Sequence, residues 1–259
     1  MTNQQLIEQF EASAHKLSYA RIENGRYLGW MSDLGLVNPS GNRIGLDPVN
    51  ETDKFLLIIC AIAWSRPGPW ENAVYLTAFL KEFDLFDVKA WRKDCFVQRQ
   101  AVNRKKNALM AREYFQGINP RKAISFRKDV FRSIQILGKN WSELNERLDE
   151  ASKTGDFYAF AFYLRSIEGL GAGKNKMMIK IPLILRELRC SGLYPNIPGE
   201  LCCIPDKRVV EAAEKLGFSL PRNTSLENVF RSSKMIYRVF GDYYDIPLFS
   251  YNDIKGEHF

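Results

Sequence analysis

Histidine is nearly absent from this chain: two occur in 259 residues, His15 and His258, at opposite ends. The five cysteines, Cys60, Cys95, Cys190, Cys202 and Cys203, are odd in number and lack the paired spacings that ligate zinc or iron–sulfur clusters. No metal centre or cofactor is expected, and a chain of this length buries a core without disulfides. Long apolar runs are missing too. The longest, "FLLIICAIAW" at 55–64, is about half the length a membrane helix needs. The opening "MTNQQLIEQF" has neither the charged nor the apolar region of a secretory signal. These absences lead to the expectation of a soluble cytoplasmic protein with no membrane partner, nucleoid-associated if the source is prokaryotic.

Repeats, low-complexity segments and clear strand alternation are also scarce, while helical periodicity is widespread. The pattern predicts helices over 3–20, 53–64, from about Trp70 onward, and over 87–116, 119–137, 140–152 and 155–167. A further helix follows a glycine-rich stretch, with a bend before Pro182. Residues 24–50, rich in Gly, Pro and Asn, read as turns or an irregular excursion. The final forty residues read as less regular, with "GDYYDIPLF" as a loop. The expected fold class is all-α in two helical lobes, residues 53–165 forming one and 1–52 with 166–259 the other.

Positive charge is what the chain has in excess. The formal net charge is +7, and between Lys89 and Lys139 fourteen Lys or Arg stand against Asp94, Glu113 and Asp129, a local excess of +11. Such a block favours a polyanionic partner, because each phosphate neutralised releases counterions. A solvated helix face is the plainer alternative.

In "LCCIPDKRVVEAAEKLGF", 201–218, Asp206 precedes Val209, Val210, Ala212, Ala213 and Leu216, an amphipathic stripe ended by Gly217. Asp206 is therefore placed at a helix N-terminus, where it can cap. Upstream, Gly169-Leu170-Gly171 and then Gly173 lie between two helical segments. Successive glycine amides turned outward could cradle a phosphate there, ahead of Lys174, Lys176 and Lys180.

This order resembles the helix-hairpin-helix DNA glycosylases typified by endonuclease III and the 8-oxoguanine glycosylases, with the archaeal GO glycosylases the nearest subgroup. The resemblance covers roughly residues 53–217, and its specific parts are the glycine hairpin, 167–176, and the aspartate helix. "DKRVVEAAEKLG" fills the family's aspartate-helix pattern without a gap. The family's lysine usually stands two residues after the second hairpin glycine, where this chain has Gly173, and its polar pair after the aspartate is replaced by Lys207 and Arg208.

The resemblance implies a two-lobed, monomeric enzyme that flips a damaged base, 8-oxoguanine first, out of double-stranded DNA and excises it. It assigns catalysis to Asp206 and Schiff-base formation to Lys174 or Lys176. Gly169, Gly171, Gly173, Lys180, Lys207 and Arg208 would contact DNA. Trp64, Ser65, Trp70 and Asn72, around the "SRPGP" elbow, would wall the base pocket or wedge the duplex; core packing is the plainer role for the two tryptophans. For Phe157, Tyr158, Phe160, Phe162 and Tyr163 the choice is likewise between core and pocket border. Alternatives to the bifunctional enzyme are a non-catalytic nucleic-acid-binding module and a monofunctional alkylbase glycosylase.

Overall fold

Helix α2 (Glu51–Trp64) is apolar around its circumference, with every residue from Phe55 to Ile62 buried. A helix of that kind has to be surrounded. It is packed by α3 (Glu71–Glu82), α7 (Lys128–Lys139) and α10 (Lys180–Cys190). At its polar end the buried Asp53 takes the Lys81 ammonium at 2.7 Å and accepts the Asp47 N–H at 2.8 Å, fixing α2 against α3. These features come from a computed structural model that describes residues 1–259 except 18, 30–35, 48, 65–69, 111–112, 126–127, 169, 173–176 and 257–259, and, inside α7, the side chains of 128–130 and 132–133.

The described residues are mostly helical. Strands among them are confined to two antiparallel hairpins, β1 (Ile22–Glu23) with β2 (Arg26–Tyr27) and β3 (Leu36–Val37) with β4 (Arg43–Ile44). The first turns on Asn24 and Gly25, both at positive φ as a two-residue hairpin requires. The remaining helices are α1 (Asn3–Ser13), α4 (Val88–Lys93), α5 (Cys95–Leu109), α6 (Pro120–Ala123), α8 (Trp141–Thr154), α9 (Phe157–Ser166), α11 (Lys207–Lys215), α12 (Leu226–Phe240), α13 (Ile246–Phe249) and α14 (Tyr251–Lys255). The buried apolar side chains join in one continuous cluster. No helix among the described residues is long and apolar enough to cross a membrane.

Several predicted boundaries are corrected. The helix expected over 3–20 ends at Ser13 in a 3-10 turn, Ala14–Lys16. The helix expected over 87–116 is interrupted at Asp94, whose carboxylate accepts the Phe96 and Val97 amides and starts α5 afresh. The segment expected as 119–137 contains two helices, α6 and α7. Pro182 bends nothing: α10 begins at Lys180, so the proline lies in the first turn, where a missing N–H leaves no hydrogen bond unmade. The last forty residues hold α12, fifteen residues long and capped by Ser225, and "GDYYDIPLF" is a 3-10 turn leading into α13.

Candidate active site

Asp206 is the N-cap of α11: its backbone is extended and its Oδ1 accepts the Val209 N–H at 2.9 Å. Three bonds fix the strand of backbone that leads to it. The Ser233 hydroxyl of α12 accepts the Cys203 N–H at 2.9 Å, Asp245 Oδ1 accepts the Ile204 N–H at 2.8 Å, and Asn223 donates to the Pro205 carbonyl. Burial pushes the Asp206 carboxyl above its ordinary pKa, while the Val209 amide, Arg208 and Arg186 act in the opposite sense.

Arg186 is fully buried on α10. Its Nη1 donates to Asp245 at 2.9 Å, its Nε stands 3.5 Å from Glu187, and its guanidinium carbon lies 5.2 Å from the Tyr27 ring centroid and 5.5 Å from that of Trp64. Burial disfavours this charge, but Asp245, Tyr27 and Glu187 hold Arg186 firmly cationic. Asp245 is pushed up to about 6, by burial first and with Asp206 adding to it, against the pull of Arg186. Asp206 thus lies in the field of a buried cation and of a second buried carboxyl.

The wall of this region comes from both ends of the chain. Phe249 packs edge-on to Trp64 at 6.1 Å and to Tyr19 at 5.3 Å, and it lies under the Arg208 guanidinium at 4.2 Å. Arg208 is in turn held by Asp253 at 2.9 Å, and Asp253 also accepts the Tyr19 hydroxyl.

Of the residues predicted from sequence, Asp206, Arg208 and Trp64 are brought into this one neighbourhood. Lys207 is exposed and sits 3.6 Å from Glu211. Trp70 stands at the head of α3, partly buried against the core, with Asn72 in the first turn. Ser65, Gly169, Gly173, Lys174 and Lys176 lie outside the described residues, the two lysines ahead of α10 rather than at its head.

Two expectations fail on burial. Lys180 has no exposed surface, so it is not a surface contact for phosphate. The Gly171 amide does not face outward: it donates to the Ile167 carbonyl at 3.2 Å, in a tight turn after α9. A β-carbon at Gly171 would stand 2.3 Å from the Arg165 carbonyl oxygen and 2.5 Å from its Cα, so glycine is required there by close backbone approach. In the aromatic helix α9, Phe157 and Phe160 are core, whereas Tyr158 is 40 % exposed and donates to Glu200.

Sequence reasoning missed Arg186, Asp245, Phe249 and Asp253. A faint signal existed for the first, an arginine inside the apolar run "KIPLILREL", and for the second, an aspartate just ahead of Ile246-Pro247. Among the described residues no three His, Cys, Asp or Glu side chains converge as a metal set. A surface cleft of about 900 Å³ lies elsewhere, lined by Met110, Glu113, Gln116 and Arg121 among others, and none of the residues around Asp206 belongs to it. It borders the basic block, where Lys106 donates to Asn103 and the Ile124 carbonyl, and where burial, then Arg121 and Arg99, lower its pKa. Among the described residues Arg99, Lys106 and Arg121 make no ion pair with a carboxylate.

Comparison of the chain with protein-family models, with curated proteins and with solved structures gives no match.

Gly171→Ala is expected to destabilise the protein by about 1–3 kcal/mol, because the obstructing atoms are backbone and cannot rotate away. Denaturant unfolding measures this; stability equal to wild type would mean that the turn after α9 is looser than described.

Proposed function

We propose that this protein is a DNA glycosylase that flips a damaged base, 8-oxoguanine first among candidates, from double-stranded DNA and excises it at Asp206. The observation that carries this reading is the setting of Asp206: a part-buried carboxylate at the head of α11, in the field of the buried Arg186 guanidinium and two residues before Arg208, which lies over Phe249. Departure of a base leaves positive charge on the sugar, and a fixed carboxylate in a region partly closed to water stabilises it. Burial raises the carboxyl pKa, whereas Arg186, Arg208 and the Val209 amide favour the ionised form that this role needs. The aromatic wall suits an extruded base.

In the finer reading, α9, the turn at Ile167–Ala172 and α10 serve as the helix-hairpin-helix, and residues 53–165 form one lobe against 1–52 and 166–259. Lys174 or Lys176 supplies the amine that attacks the sugar C1′; the Schiff base so formed permits strand cleavage by β-elimination. With neither lysine engaged, Asp206 activates water and the enzyme is monofunctional. Arg99, Lys106 and Arg121, which among the described residues make no ion pair with a carboxylate, support a polyanionic partner, and they also favour a second reading, a non-catalytic nucleic-acid-binding module.

Asp206→Asn separates these readings. Excision from lesion-bearing duplexes is expected to fall by at least about a hundred-fold with duplex affinity within a few-fold, since the carboxylate acts on the transition state. Unchanged excision by the folded variant refutes the catalytic role, and absence of excision by wild type across a lesion panel leaves the binding module.

Borohydride is expected to trap wild-type protein on lesion DNA, with trapping lost in one of Lys174→Ala and Lys176→Ala and kept in the other, because one amine forms one Schiff base. Trapping retained in both single variants removes the lysine step.

Affinity for undamaged duplex is expected to fall steeply with salt, and the triple charge reversal Arg99→Glu, Lys106→Glu, Arg121→Glu to reduce the slope of log K against log salt by about 3. A slope unchanged by the reversals would mean that this face does not meet DNA.

A further inference from the structure

Asp245 takes no part in the chemistry above, yet both of its contacts lead to Asp206. Its Oδ1 accepts the Arg186 Nη1 at 2.9 Å and the Ile204 N–H at 2.8 Å. Ile204 is two residues before Asp206, and its carbonyl accepts the Asp206 N–H at 2.8 Å. One carboxylate oxygen therefore holds the buried cation and the backbone that carries the site aspartate. The arrangement is closed to solvent: Arg186 has no exposed surface and Asp245 is 3 % exposed.

We propose that Asp245 is the positioning residue for Asp206, setting its place through the Ile204 amide and its charge through Arg186. The activity part of this proposal rests on the glycosylase reading; the titration part does not. The ionisable groups facing Asp245 are Arg186 of α10, with Glu187 on the same guanidinium, Tyr27 of β2, Cys203, and Asp206 at the head of α11. The two carboxyls interact, Asp206 adding to what holds Asp245 up. Burial holds Asp245 at about 6 and Asp206 also above its ordinary range. The sign follows from charge. The charge of Asp206 adds to what holds Asp245 up, so replacement of Asp206 by asparagine lowers the pKa of Asp245. For stability the raised Asp245 favours the folded protein below the unfolded pKa of about 3.9, and that contribution is lost as pH rises through about 6.

The test uses the 259-residue wild-type chain, Asp245→Asn, Asp245→Ala and Asp206→Asn. Single-turnover excision is followed from about pH 5 to 8, and the Asp245 carboxyl is titrated by carbon-13 resonance in wild type and in Asp206→Asn. Asparagine keeps an acceptor for the Ile204 amide, so about a ten-fold loss of rate is expected. Alanine removes the acceptor, and about a hundred-fold loss is expected, with KM within about three-fold for both. A folded Asp206→Asn in which Asp245 titrates as in wild type overturns the charge coupling, and an Asp245→Ala with wild-type rate overturns the positioning role. Should the variants fail to fold, the wild-type titration decides: a two-step curve for Asp245 supports the coupling, a single step overturns it. A wild type that excises nothing refutes the glycosylase reading, and the carboxyl titration then judges the charge coupling by itself.

Discussion

A guanidinium with no exposed surface has to be compensated by the protein, since transfer of a bare charge out of water costs many kcal/mol. Arg186 receives that compensation from Glu187 next to it on α10 and from three separated parts of the chain: Asp245 ahead of α13, and the faces of Tyr27 in β2 and of Trp64 at the end of α2. Each partner is thereby fixed. The β1–β2 hairpin is held on α10, the C-terminal end of α2 is held near the head of α11, and the chain before α13 is held against Ile204. Leaving this cation without its acid would be worse than replacing the whole group by apolar side chains, so the arrangement is retained or lost as a unit.

Asp206 depends on that unit while doing local work of its own. As an N-cap it satisfies an amide of α11 that would otherwise be orphaned, and the same hydrogen bond favours its ionised form. Capping does not exhaust the carboxylate, which has lone pairs left after one amide is served. The cap fixes the rotamer, and the field of the buried cation offsets part of the desolvation that burial imposes. A cap alone on an exposed helix would have the first property without the second.

Local signals in the sequence were sufficient for much of the helical order. The stripes of α2, α8, α9 and α11 are regular, and the cap at Asp206 is a property of four consecutive residues. Helix α12 escaped because its buried face carries Ser232 and Ser233, which interrupt the apolar stripe; Ser233 is there to receive the Cys203 amide. The break at Asp94 was hidden because a capping aspartate leaves the apolar period almost undisturbed on either side. Lys180 and Arg186 were unreadable for a different reason. Charged residues are exposed by default, and the partner that makes Arg186 tolerable lies 59 residues further along. Trp64 was assigned to the site's surroundings from the resemblance, but what it faces there, Arg186 and Phe249, is a matter of tertiary packing alone.

The residues around Asp206 are not made together. Tyr19 and Trp64 leave the ribosome early, Arg186 and Asp206 much later, and Asp245, Phe249 and Asp253 follow Asp206 by about forty residues. Throughout that interval the nascent chain carries a cation without its counter-ion and a capped aspartate whose leading backbone lacks its anchor at Ile204. The N-terminal helices can condense around α2 during synthesis, but the acid-bearing region closes only when the segment after α12 docks. A chain cut short before that segment would keep much of its helix content and still leave Arg186 without its acid and Ile204 without its anchor.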